Sequence, residues 1–89
     1  MTLITSIQNP RIKNAGKLRQ RRQRDRQKRF LIDGIREIRR AHKSSVVLEE
    51  VFYNEKALRD PVVQELIDEL RKDGIQVNDV VKPVFAKLA

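Results

Sequence analysis

Eleven consecutive residues between Leu18 and Phe30 carry no apolar side chain, so the stretch Arg19–Arg29 cannot supply a buried face to any fold. What it offers instead is charge: seven of the eleven are cationic and one, Asp25, is acidic. Six of the seven are arginines, whose planar donor forks match phosphate oxygens in pairs, whereas a segment needing only solubility could mix lysine with glutamate. A solvated linker with a like-charge run is the plainer alternative. The charge is also lopsided. Residues 1–45 carry a net +11 and residues 46–89 a net −3, which together make the +8 of the chain. A basic half of this kind gains sequence-independent affinity for nucleic acid by releasing counterions from phosphates. An anionic membrane would attract it too, but surface helices need bulky apolar residues opposite the basic ones, and this run has none.

Eighty-nine residues make one small domain, near the size at which a single core only just suffices. Without cysteine there can be no disulfide or thiolate metal site, and a lone histidine builds no imidazole cluster, so neither a metal nor a bound cofactor is expected in this chain. No apolar run approaches the roughly 20 residues that span a bilayer. The start Met-Thr-Leu-Ile-Thr lacks the basic and long apolar regions of a signal peptide. A soluble, cytoplasmic protein is the expectation.

Asn9 and Pro10 read as the cap and first residue of a helix to about Leu18, with Ile12, Ala15 and Leu18 on one side. Phe30-Leu31-Ile32 reads as a short buried strand entering a turn at Asp33-Gly34, and Asp33 is available to cap a helix carrying Ile35, Ile38, Ala41 and His42. Val46–Tyr53 is rich in β-branched and aromatic residues and reads as a second strand ended by Asn54. Asp60-Pro61 begins a helix whose stripe of Val62, Val63, Leu66, Ile67 and Leu70 faces the core, with Arg71 and Lys72 in its last turn and Gly74 as its stop. Ile75–Val77 alternates as a third strand, and Pro83–Leu88 reads as a last helical turn with Asp79 a candidate cap. Alternating strands and helices with long crossovers predict an α/β fold with a mostly parallel sheet, packed by helices on its faces. The expected division is a basic helix and arm over residues 1–29, outside the sheet, and an α/β substrate-binding body over residues 30–89.

No triad, glycine-rich phosphate loop or metal-ligand spacing is present. His42 reads as a packing or capping residue. Asp33 and Glu37 read as a cap and an ion pair with Arg36, Arg40 or Arg29 rather than as a catalytic couple. Phe30, Phe52, Tyr53 and Phe85 sit in apolar patterns and are expected in the core, which disfavours base stacking on exposed rings.

The stretch Ile4-Thr5-Ser6-Ile7-Gln8-Asn9-Pro10-Arg11-Ile12-Lys13, then Leu18, Arg24 six places before Phe30, and Phe30-Leu31-Ile32-Asp33-Gly34, resembles the N-terminal substrate-binding domain of the SpoU family of RNA 2'-O-ribose methyltransferases. Val46–Tyr53, the helix from Pro61 to Asp73, Ile75–Val77 and Val84-Phe85-Ala86-Lys87-Leu88 are similar to the remainder of that domain. Each motif is common by itself; their order and spacing carry the likeness. Asp33 stands where the family more often has Glu, and Lys28 lies near a place where many members have a glycine turn. The resemblance implies a small three-layer α/β/α sandwich, similar to the ribosomal proteins that bind kink-turn RNA. It also implies a separate catalytic domain that uses S-adenosylmethionine, so this chain is expected to be inactive alone. A homodimer of the full-length protein is an open expectation.

RNA contacts are therefore expected from three groups. Arg19, Arg21, Arg22, Arg24, Arg26, Lys28 and Arg29 are the main phosphate contacts; Arg11, Lys13 and Lys17 flank them on the first helix; Arg36, Arg39 and Arg40 lie on the helix after Gly34. The kink-turn likeness, which presents RNA to the start of that helix, brings in Gly34 and Arg36. The expected function is recognition of structured rRNA or tRNA through its backbone. A free-standing ribonucleoprotein-assembly factor and a protein-interaction module remain alternatives, with DNA binding weaker because no base-reading helix stands out.

Overall fold

The structure, a computed structural model, describes residues 3–88. The ends of the two expected segments, residues 1–2 and 89, lie outside the described residues. The order is β1 (Leu3–Ile4), α1 (Pro10–Lys17), α2 (Arg21–Gln27), α3 (Ile35–His42), β2 (Glu50–Tyr53), a 3-10 turn (Glu55–Arg59), α4 (Pro61–Lys72), β3 (Gln76–Val80) and α5 (Lys82–Leu88). Both neighbours of β3 run parallel to it, in the order β1-β3-β2. Val51 sits opposite Val77, and Ile4 opposite Val80.

Because strand side chains alternate, each face of the sheet needs its own cover. Val51, Tyr53 and Val77 meet Val63, Leu66, Ile67 and Leu70 of α4, with Ile38 of α3 packed alongside. On the other face Ile4 and Val80 meet Ile12 of α1 and Val84 of α5, and Phe52 adds its ring. The result is an α/β sandwich with helices on both faces of the sheet, as the alternation of elements predicted.

Local chemistry explains the helices that were anticipated. Asp60 accepts from the Val62 amide at 2.9 Å ahead of Pro61, and α4 ends where Gly74 takes φ 79° and the Ile75 amide reaches back to the Leu70 carbonyl at 3.0 Å. Leu70 is wholly buried. His42, at the end of α3, holds Asp73 at 2.6 Å and so joins the C-terminal ends of α3 and α4.

Six expectations need correction. Phe30–Ile32 is not a strand: Phe30 is 60% exposed and Leu31 40% exposed. Lys28 closes α2 in the left-handed conformation, and the run that follows lines a cleft of about 770 Å³ beside β2 instead of pairing with it. Three consecutive apolar residues suggest a strand but name no partner edge. The second strand covers only Glu50–Tyr53, because its partner begins at Gln76, opposite Glu50, and among the described residues no strand pairs with Val46–Glu49. Val47 is consequently 81% exposed.

Asp79 cannot cap α5, since it lies within β3, opposite Leu3 and Tyr53. Its Oδ1 is buried without a hydrogen-bond partner among the described residues. Burial, then the Glu55 charge, pushes the carboxyl above its ordinary value. Asp33 caps nothing: Gly34 occupies the cap of α3 at φ 99°, with no side-chain hydrogen bond. Finally, the N-terminal arm is not wholly outside the sheet, because β1 forms its edge. Of the aromatics expected inside, Tyr53 is buried and Phe52 half-buried, whereas Phe85, which lines the same cleft as the more open Phe30, is 37% exposed.

Candidate nucleic-acid interface

The cationic run folds into α2, a helix with no buried residue and no side-chain cap. Arginine and glutamine are good helix formers, yet a helix of this length is unstable alone, so its shape depends on ties to the body. Two are internal: Arg21 faces Asp25 at 4.0 Å, and the Gln27 amide donates to Gln23 at 3.4 Å. Others reach outward. Arg24 Nη1 donates to the carbonyls of Leu18 at 3.0 Å and Arg19 at 2.8 Å, and Arg19 Nη2 donates to the Lys87 carbonyl at 2.7 Å. Lys28 ends the helix at φ 58° and ψ 39°, a conformation that suits glycine far better than a residue with a Cβ.

These ties divide the expected contact residues. Arg11 turns toward the sheet, 3.7 Å from Glu50, and with the Gln76 amide oxygen oriented toward it donates there from both terminal nitrogens at 2.7 and 2.8 Å. Glu50 also accepts from Asn78 at 2.9 Å. Burial pushes the Glu50 carboxyl above its ordinary value although Arg11 and Arg29 pull the other way. Arg29 pairs with Glu49 at 2.5 Å, in place of the expected Asp33 or Glu37. Arg11, Arg24 and Arg29 are therefore engaged with the protein itself, and Arg19 is fastened to the end of α5.

The remainder face solvent. Lys13 and Lys17 project from the exposed side of α1, and Arg22, Arg26 and Lys28 from α2, none of them with an ion pair among the described residues. Arg21 stays largely open despite Asp25, at 88% side-chain exposure. On α3, Arg36, Arg39 and Arg40 surround a shallow depression together with Lys43, Asp60 and Val62, and Gly34 begins that helix. Lys43 was missed by sequence reasoning. Its spacing from Arg36, Arg39 and Arg40 puts it on their helical side, a signal present in the chain.

Among the described residues no group of three or more acidic or histidine side chains is arranged to hold a metal ion, and no helix is long and apolar enough to cross a membrane. The geometry is thus an array of largely exposed cations on three short helices, α1, α2 and α3.

Over residues 9–89 the sequence matches the family of MRM3-like substrate binding domains. The chain belongs to this family. MRM3-like substrate binding domains are related to RNA methyltransferases, and the match runs from Asn9, the cap of α1, through α2 and the rest of the fold. All three helices that carry these cations in this MRM3-like domain fall inside the matched span. Comparison with curated proteins finds no match for the chain.

Proposed function

We propose that this domain holds structured RNA, an rRNA or tRNA, by its sugar-phosphate backbone for a methyltransferase of the SpoU type that modifies a ribose 2'-hydroxyl. The methyl donor, S-adenosylmethionine, belongs in this reading to a separate catalytic domain, and no residue of the present chain is assigned to it. The carrying observation is that Arg22, Arg26 and Lys28 are exposed on and at the end of α2 with no ion pair among the described residues, inside a domain of an MRM3-like substrate-binding family. Side chains of this kind gain little by folding and much by meeting phosphates. Lys13, Lys17 and the α3 group widen the cationic surface.

Fluorescence anisotropy with a labelled RNA stem-loop between 50 and 200 mM KCl tests the reading. With about five phosphates engaged, the log-log salt slope should lie near −3 to −5. Replacing Arg21, Arg22, Arg26 and Lys28 with Gln should bring the slope to about −1 while the melting temperature hardly moves. Affinity that ignores salt, or survives the quadruple substitution, removes this mechanism.

A further inference from the structure

Arg24 looks in the sequence like its neighbours, yet it stands apart in the structure. In a helix that buries nothing, Gln23, Arg24 and Gln27 form the half-buried side. At 3.6 residues per turn, Arg22 and Arg26 lie nearly opposite Arg24 and share the outward side. The guanidinium of Arg24 points back under the helix and gives hydrogen bonds to Leu18 and Arg19, the carbonyls of the turn that ends α1. Leu18 is itself buried, so the acceptors belong to the packed body. The contact therefore fixes the rotation of α2 as well as its place.

We propose that Arg24 is a positioning residue: it clamps α2 onto the end of α1 so that Arg22 and Arg26 face the RNA, and makes no phosphate contact itself. The proposal rests on the RNA-binding reading above. The ties of Arg19 and Arg29 hold the chain on either side of this helix, whereas within it, among the described residues, Arg24 is the side chain whose hydrogen bonds reach outside the helix. Without the clamp the outward pair must be ordered at the moment of binding, which lowers affinity.

Three variants of the 89-residue chain decide the matter, each followed by amide hydrogen exchange and by RNA affinity across salt. Arg22→Gln should make the salt slope shallower by about 0.9 and leave exchange of residues 21–27 unchanged. Arg24→Gln should speed that exchange about tenfold and weaken RNA binding severalfold, with the slope retained. Arg24→Lys should behave like Arg24→Gln, because a shorter, strongly hydrated ammonium replaces the fork poorly under the helix, though it would serve at a phosphate. Wild-type affinity in Arg24→Lys, or a shallower slope with unchanged exchange in Arg24→Gln, overturns the proposal. Wild-type protein that binds no RNA would sink the functional reading instead. Exchange in Arg24→Gln then still decides the clamp, since unchanged rates overturn it.

Discussion

The segments Asp60–Val80 and Arg19–Gly34 keep their shapes by opposite means. In the first, α4 lays Val63, Leu66, Ile67 and Leu70 against β2 and β3, and the burial of each such side chain stabilises the fold by roughly 1.5–3 kcal/mol. In the second nothing apolar is fully buried, and the backbone is held by guanidinium groups on carbonyls, the Arg29–Glu49 pair and a left-handed residue at Lys28. The difference teaches that order and burial are separable: a cationic surface can be shaped by polar ties that leave its outward charges unspent.

Removing a methylene-rich side chain from the first segment should produce the largest effect. Leu70→Ala is expected to cost about 2–5 kcal/mol in urea unfolding, since no solvent reaches that site. A loss under about 1 kcal/mol would mean the two segments are held alike. In the second segment, Lys28→Gly relieves the left-handed strain and should strengthen α2 by about 1 kcal/mol, read as slower amide exchange over residues 21–27. Unchanged exchange would show that the end of α2 is not shaped as described. The smallest effect belongs to Phe30→Ala, expected within about 0.5 kcal/mol of the parent because the ring is 60% exposed. A substantially larger loss would indicate that Phe30–Ile32 closes onto the open edge of β2 in solution, making the second segment resemble the first.

The same contrast explains what could be read from the chain. α1 and α4 were legible nearly to the residue, since Asn9-Pro10 and Asp60-Pro61 are local signals and the periodic stripes lie within each helix. Strand limits were not. β1 is two residues long and is a strand only because β3 lies beside it, while β3 carries Asn78 and Asp79 in its middle and is held by neighbours on either side. The candidate interface behaved similarly. Its cations were visible individually, but Arg22 and Arg24 differ only in what lies under the helix, and Arg11 is claimed by Glu50 and Gln76 from far along the chain. Asp33 failed as a cap because φ 99° at the next residue, Gly34, sets the entry into α3.

The middle strand of the sheet is the last of the described strands in sequence order. Both of its partners are synthesised earlier and have no ladder to join until residues 76–80 leave the ribosome, so assembly of the sheet is a late event built on long-range contacts. The arginine-rich helix, by contrast, emerges well before there is a sheet to carry it, so its cations are exposed on the nascent chain before the body that orients them has formed.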